Sequence, residues 1–185
     1  MDQTNFAEYR VTKEVEGSYK AKRIAMQIGY GLFPILMLAV LAAIHVYLIF
    51  PGILLVFLYV ALLNKLVKPL TWIYFNYDYY YKVQLGTFKV ERIYSEAKRK
   101  VLVEKKVSDL ETIAPYTGEY KKIADDPSIT KRIEAVSTMK AKEIYFATFT
   151  DTDGKKAVVF FEPLQKTIKL MSFYNKNTVV THVSM

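Results

Sequence analysis

Charged and apolar positions divide this chain into two kinds of segment. No Asp, Glu, Lys or Arg occurs from residue 24 through residue 64, a tract of 41 residues. A helix that crosses a bilayer needs about 20 apolar residues, because each residue advances about 1.5 Å through about 30 Å of hydrocarbon. The tract is about twice that length, and the pair Pro51-Gly52 within it is a strong turn signal. The pattern therefore predicts a transmembrane helical hairpin over residues 24–74, with spans of about 24–48 and 53–72.

Four side chains are predicted to anchor this hairpin at the membrane interface. Lys65 and Lys68 fall near the cytoplasmic end of the second span, where long side chains extend their charge toward the headgroups. Trp72 would join an interfacial aromatic belt, and Arg23 ends the basic segment before the first span. A re-entrant or surface-lying second segment is the alternative, because its uncharged part is short.

Positive charges set the expected orientation. Lys and Arg occur on both flanks of the hairpin and are absent from the loop around residues 50–52, and such residues stay on the cytoplasmic side. We therefore expect a two-span protein of the cell membrane with both termini cytoplasmic, residues 1–23 forming an N-terminal tail. A cleaved signal peptide is the other interpretation of the basic start, but the apolar run is too long for one. The absence of cysteine agrees with a reducing compartment.

Residues 77–185 have the patterning of a mainly β cytoplasmic domain. Two alternating runs, residues 77–84 and 88–94, flank a tight turn at Gly86, and a third run follows over residues 100–104. These runs predict three consecutive strands.

The second half of this region contains a further hairpin and a helix. Two β-rich runs, residues 144–149 and 157–161, flank an Asp-Gly turn, which predicts a hairpin. Apolar positions at helical spacing after Pro163 predict a helix near residues 163–175. The polar residues 117–142 are expected to form a long loop with one short helix.

The sequence shows no catalytic or metal-binding pattern. It has no phosphate-binding loop, no nucleophile elbow, no dinucleotide fingerprint and no paired His or Cys ligands. Asp125-Asp126 before Pro127 is typical of a solvated turn rather than an acid/base pair. Asp151 and Asp153 lack the additional oxygen ligands that a calcium loop requires. We therefore expect no enzymatic activity, no cofactor and no metal.

A basic strip is the strongest candidate binding surface, with a net charge of +8 on the whole chain. Beside an anionic leaflet, each Lys or Arg adds about 1 kcal/mol of attraction. The strip is therefore a hypothetical lipid or partner site, and the alternative is the solvated face of two strands. Nucleic acid is not expected, since the anchor restricts access and no recognition helix is present. The candidate residues are Lys89, Arg92, Lys98, Arg99 and Lys100.

The layout resembles membrane-anchored bacterial pleckstrin-homology-like proteins, and more closely an uncharacterised family of small bacterial two-span proteins with such a domain. The resemblance covers about residues 20–175. It implies a bent β-sandwich closed by a C-terminal helix, although fewer strand patterns are found than that fold has, and it supplies no catalytic residue. It is carried by Asp78-Tyr79-Tyr80-Tyr81, Lys98-Arg99-Lys100, Ile113-Ala114-Pro115-Tyr116, Gly118-Glu119-Tyr120 and Phe161-Glu162-Pro163.

The sequence thus predicts a membrane α-helical hairpin joined to a PH-like cytoplasmic domain. The expected function is that of an anchored interaction or scaffold module whose partners are the lipid bilayer and another protein. Recognition of anionic lipid headgroups by the basic strip is the alternative.

Overall fold

A computed structural model describes residues 5–66, 77–94 and 98–180 of the chain. The chain forms two compact units. One unit contains Met1–Glu14 together with Asp78–Met185, and the other contains Val15–Tyr77. The helical unit is therefore an insertion between two parts of the sheet-rich unit.

The described part of the inserted unit contains two helices that are long and apolar enough to cross a membrane, Gly17–Ile44 and Val46–Leu66. Only 6% of the most apolar 18-residue window of each is buried, whereas the core helix of a soluble protein is mostly buried. The first comprises α1 (Gly17–Gln27), a π-helical segment (Ile28–Leu32) and α2 (Phe33–Ile44), and the second a 3₁₀ turn (Val46–Leu48) and α3 (Ile49–Leu66).

The turn of the hairpin lies at His45, and the prediction of a turn at Pro51-Gly52 is wrong. His45 has an extended backbone that ends α2, whereas Pro51 and Gly52 lie in the first turn of α3. Proline is tolerated there, because the N–H that it lacks has no partner in that turn. Gly52 instead allows close packing: a Cβ at this position would lie 2.6 Å from Leu41 Cδ1 and 3.1 Å from Leu38 Cδ2.

The π-helical segment precedes Pro34 and has a clear physical cause. The N–H of Phe33 donates to the carbonyl of Ile28, five residues earlier, and Pro34 has no N–H to offer. The carbonyl of Gly29 therefore loses the donor that a regular α-helix would provide. The hydroxyl of Tyr59 on α3 donates to this carbonyl over 2.9 Å, so the backbone group is satisfied within the hairpin.

Two four-stranded sheets form the second unit. Sheet A has the order β1-β2-β3-β4, and sheet B has the order β5-β7-β8-β6. Phe161 of sheet B lies between them, with its ring centroid 5.0 Å from that of Phe88 in sheet A. The strands are β1 (Phe6–Thr12), β2 (Tyr77–Gln84), β3 (Thr87–Tyr94), β4 (Lys98–Lys106), β5 (Leu110–Pro115), β6 (Lys131–Glu134), β7 (Tyr145–Thr150) and β8 (Lys156–Phe161).

Strand β1 corrects the expectation that residues 1–23 form a tail. It pairs antiparallel with β2, from Phe6 opposite Gln84 to Thr12 opposite Asp78. Ala7 and Val11 are buried in the core of the sheet-rich unit. The N-terminal segment is therefore part of the β domain, because its apolar side chains are buried there.

The predicted hairpins are confirmed. Leu85 and Gly86 connect β2 to β3 with positive φ angles of 48° and 74°, as a tight two-residue hairpin turn requires. Glycine is also favoured at position 86 because a Cβ there would lie 3.1 Å from the ring of Tyr174. The second hairpin joins β7 to β8 through the Asp-Gly turn.

The polar segment 117–142 is more ordered than a long loop. It contains the expected short helix, α4 (Lys121–Ala124), and also β6, which pairs in parallel with β8. The segment covers the face of sheet B that points away from sheet A, where Phe146 and Phe160 are fully buried. The sequence pattern missed β6 because its residues alternate only weakly.

The predicted C-terminal helix is confirmed as α5 (Gln165–Tyr174). Pro163 precedes it, and Ile168, Leu170 and Met171 are buried on its inner face. Asn175, immediately after the helix, donates from its side-chain amide to the carbonyls of Val107 and Leu110. This contact fixes the end of α5 against the start of β5.

Candidate functional site

The predicted basic strip lies on β3 and β4, and the register of these strands divides it between two faces. Lys89 is opposite Glu104, Arg92 is opposite Lys100, and Ile93 is opposite Arg99. Directly opposed residues share one face of a sheet, and neighbours along a strand point to opposite faces. Lys89 and Arg99 therefore lie on one face, and Arg92 and Lys100 lie on the other.

Glu91 neutralises the basic side chains on the outer face of sheet A. Its carboxylate lies 3.0 Å from the Lys89 ammonium and 3.4 Å from the Arg99 guanidinium. Glu104 adds a second carboxylate 3.5 Å from Lys89. The hydrogen bond to Glu91 raises the pKa of Lys89 above its ordinary value. Lys89 and Arg99 are thus already paired with acids.

The same face continues across β2 and β1 with further paired charges. Tyr80 donates a hydrogen bond to Glu8, and the Arg99 guanidinium lies 5.5 Å from the centre of the Tyr80 ring. Burial, followed by the hydrogen bond to Glu8, raises the pKa of Tyr80 to about 12. At the end of the strand pair, Arg10 donates to Asp78 over 2.6 Å. These contacts link all four strands of sheet A.

Arg92 lies on the inner face of the sheet. Its guanidinium is 3.4 Å from the hydroxyl of Tyr79 and 5.4 Å from the centre of that ring. Tyr79 is only 2% exposed, so this contact is directed into the sandwich. Lys98, opposite Tyr94, belongs to the same face as Arg92 and Lys100. The register therefore divides the five residues of the predicted strip between two faces of sheet A.

The predicted interface anchors are only partly described by the structure. Arg23 is a half-buried residue of α1, and Lys65 is exposed in the last turn of α3. Lys68 and Trp72 lie outside the described residues. Lys65 at the carboxyl end of α3 also complements the negative end of the helix dipole.

Asp125 and Asp126 both take part in structural contacts. Asp125 accepts hydrogen bonds from Arg132 over 2.7 Å and from Tyr116 over 2.9 Å, and the Arg132 contact lowers the pKa of Asp125. Asp126 accepts from the backbone N–H of Ser128 over 2.7 Å, which lowers its pKa in turn. Arg132 also stacks 4.3 Å from the centre of the Phe160 ring. The two acids thus hold the segment that covers sheet B.

No metal centre is evident in residues 5–66, 77–94 and 98–180, where no three His, Asp or Glu side chains converge. The Asp151 carboxylate instead binds the Lys131 ammonium at 2.6 Å, which lowers the pKa of Asp151. This contact ties the β7–β8 turn to β6.

The attachment of the helical insertion is the feature that the sequence pattern did not reveal. β1 ends at Thr12 and β2 pairs Asp78 with it, so the chain leaves and re-enters sheet A at directly opposed positions. The segment after β1 also forms hydrogen bonds with the rest of the sheet-rich unit. The backbone N–H of Glu14 donates to the carbonyl of Ser137 over 3.1 Å, and the Lys13 ammonium donates to the carbonyl of Val136 over 3.3 Å.

Comparison with known proteins identifies the family. Residues 3–181 match the family described as Bacterial PH-like domain (DUF6106). The match includes β1, both apolar helices and the two sheets. No curated protein and no solved structure matches the chain. Because the match extends over nearly the whole sequence, the chain belongs to the bacterial PH-like domain family.

Proposed function

We propose that this protein is a non-enzymatic interaction module, held at the cytoplasmic face of the cell membrane by a two-helix anchor and binding another protein through its PH-like domain. The observation that carries this proposal is the pairing of Thr12 with Asp78 across the insertion. It makes the anchor an internal part of the domain rather than a terminal appendage.

The exposed apolar surface of the two helices supports membrane insertion. Large side chains such as Phe50, Leu54 and Phe57 are each about 70% exposed along α3. Burial of this surface in lipid is favourable by about 25 cal/mol per Å² of apolar area. The backbone of the hairpin is also compatible with a bilayer, where each polar group needs a partner within the protein. The Gly29 carbonyl, which lacks a helical donor, accepts a hydrogen bond from the Tyr59 hydroxyl.

The opposed strand ends support a topology with both flanks on one side. Residues on either side of the insertion are directly paired in sheet A, so they cannot lie on opposite faces of a bilayer. The helices must then cross the membrane an even number of times. The basic residues on both flanks favour the cytoplasmic side. Removal of a signal peptide would also separate β1 from the sheet that it completes.

Binding of a protein is favoured over recognition of lipid headgroups by the predicted strip. Lys89 and Arg99 are paired with Glu91, and Arg92 is directed toward Tyr79 on the inner face. Ion pairs of this kind reduce the charge available to an anionic surface. Fold alone does not fix the ligand of such a domain, so the preference for a protein over a lipid headgroup rests on this arrangement of charges.

The proposal is tested with the full chain and a variant in which residues 15–77 are replaced by a short Gly/Asn linker. The two paired strand ends permit a tight connection. We expect the full chain to stay with membranes after washing with high salt and alkaline carbonate, and the linker variant to be soluble. Photo-crosslinking in cells should then join the full chain to a discrete partner that the purified linker variant also binds.

A flotation assay separates the lipid alternative. The linker variant is mixed with vesicles of phosphatidylcholine, with or without phosphatidylglycerol, at low and moderate salt. We expect no binding that depends on the anionic lipid. Salt-sensitive flotation with anionic vesicles, abolished by replacing Lys89 and Arg99 with glutamine, would overturn the preference for a protein partner.

A further inference from the structure

Strand β4 is an edge of sheet A with no strand on its outer side among the residues that the structure describes. The described residues include four sheet edges, formed by β1, β4, β5 and β6. β5 is covered by the C-terminal segment through two backbone hydrogen bonds of 2.8 Å. The N–H of Ile113 donates to the carbonyl of Thr178, and the N–H of Val180 donates to the carbonyl of Ile113. β1 packs against α5, and β6 has only four residues. β4 has nine residues and a strand neighbour on one side only.

The exposed side of an edge strand is a template for another strand. Its outward N–H and C=O groups can form a ladder with an added extended segment. Within the described part of the chain, the backbone from Arg99 to Lys106 forms hydrogen bonds only to β3. Val101, 46% exposed, and the half-exposed Leu102 provide apolar surface beside that edge.

We propose that β4 is a docking site for an extended acidic segment of a partner protein, which adds to sheet A as a further strand. This inference rests on the proposed function and assigns a place and a chemistry to its protein partner. The strand sequence KRKVLVEKK has five basic residues and one acidic residue. Arg99 is already paired with Glu91, and Lys105 donates to the carbonyl of Thr150. The proposal therefore uses the charges of Lys100 and Lys106 at this edge. An incoming strand with acidic side chains meets opposite charges across the new pair.

The same charges disfavour a second copy of this chain as the occupant. In a symmetric antiparallel pair of two β4 strands centred on Leu102, Lys98 would oppose Lys106 and Arg99 would oppose Lys105, and like charges directly opposed are destabilising. Lys100 would meet an acid, Glu104, in the same pairing. Lysine at an edge is also a known protection against uncontrolled pairing. An acidic partner segment avoids the like-charge repulsion. It also pairs selectively with this edge, because its own charges complement those of the lysines.

One other basic surface provides a matched control. A cavity of about 370 Å³ beside α5 is lined by Asn5, Lys166, Lys169, Leu170 and Phe173. Lys166 and Lys169 are exposed on α5, so reversing their charge changes the net charge by the same amount as reversing two lysines of β4. A peptide that binds by charge alone cannot distinguish the two changes.

The experiment measures fluorescence anisotropy of a labelled, end-blocked peptide of alternating Glu and Val with the full chain in nanodiscs of zwitterionic lipid. We expect saturable binding, weakened about tenfold or more by K100E/K106E and less than about twofold by K166E/K169E. The same peptide with methylated backbone nitrogens at alternate residues should lose binding, because it cannot donate the ladder hydrogen bonds.

Three results would overturn the inference. They are equal binding of the methylated peptide, equal weakening by the two charge reversals, and no binding of the unmodified peptide. If the full chain still stays with membranes and crosslinks to its partner, the inference about β4 fails while the proposed function stands.

Discussion

The hydroxyl of Tyr59 donates a 2.9 Å hydrogen bond to the backbone carbonyl of Gly29, on the neighbouring helix of the inserted hairpin. This carbonyl lacks a helical donor because Phe33 bonds to Ile28 and Pro34 has no N–H. An irregular backbone position in an apolar environment thus has its partner on the other helix. The contact makes the two helices one unit rather than two independent segments.

Replacement of Tyr59 with phenylalanine should loosen the hairpin. The change removes the hydroxyl and leaves the Gly29 carbonyl without its donor, so we expect a loss of about 1 kcal/mol in the helix–helix interaction, as for other interhelical hydrogen bonds in membranes. Unfolding in mixed micelles measures the change. Tyr47→Phe, at an exposed tyrosine near the hairpin turn, is the control and should have no effect.

Gly52 should be intolerant of large side chains. Since a Cβ at this position would lie 2.6 Å from Leu41 Cδ1, Gly52→Leu should separate α2 from α3 and destabilise the hairpin by about 1–3 kcal/mol. Gly31→Leu is the matched control, because no atom lies within 4 Å of a Cβ there. Equal destabilisation by both variants in the same unfolding assay would contradict the observed packing.

The N-terminal strand should be essential to the folding of the β domain. Val11 is buried and lies opposite Tyr79, so Val11→Asp places an unpaired charge in the core and should cost about 3 kcal/mol or more. Val15→Asp makes the same substitution at a valine that is 40% exposed and should be tolerated. Thermal unfolding of the purified chain, followed by circular dichroism, distinguishes the two.

The contact between Asp125 and Arg132 should make a small contribution to stability that depends on pH. Because Arg132 lowers the pKa of Asp125 in the folded protein, the contribution is complete above the ordinary carboxyl pKa of about 4. It is lost as the pH falls through the lowered folded-state pKa.

Asp125→Asn measures this contribution. Both side chains are more than one-third exposed, so the variant should lose less than about 1 kcal/mol near pH 7, and its deficit should disappear in strong acid. Asp153→Asn, in the exposed β7–β8 turn, controls for removal of an acidic group. A deficit that grows as the pH falls would show the opposite linkage and contradict the assignment.

Features that depend on composition alone were predictable from the sequence. The uncharged tract predicted two long apolar helices, and the alternating runs around Gly86 and the Asp-Gly turn predicted hairpins. The turn at His45 was not predictable, because Pro51-Gly52 is compatible both with a turn and with the first turn of a helix. The packing of Gly52 against Leu41 decides between them, and no local pattern contains it.

Features that depend on pairing between distant segments were missed. Ala7, Tyr9 and Val11 alternate with polar residues, which is the signal of a strand. Without its partner β2, however, so short a run at the N-terminus is indistinguishable from a tail. The division of the basic strip between two faces was missed for a related reason. Its charges were counted along the sequence, whereas the register of β3 with β4 decides which face each side chain occupies.

Cysteine accessibility in intact cells tests the central claim most directly, since the chain contains no cysteine of its own. Single cysteines are placed at Thr12 before the insertion, at Tyr47 near the hairpin turn and at Lys155 in the exposed β7–β8 turn. We predict that a membrane-impermeant maleimide labels Tyr47→Cys in intact cells, and labels Thr12→Cys and Lys155→Cys only after the cells are opened. Labelling of Thr12→Cys and Lys155→Cys from opposite sides of the membrane, or the same protection at all three positions, would contradict an anchor inserted between paired strands.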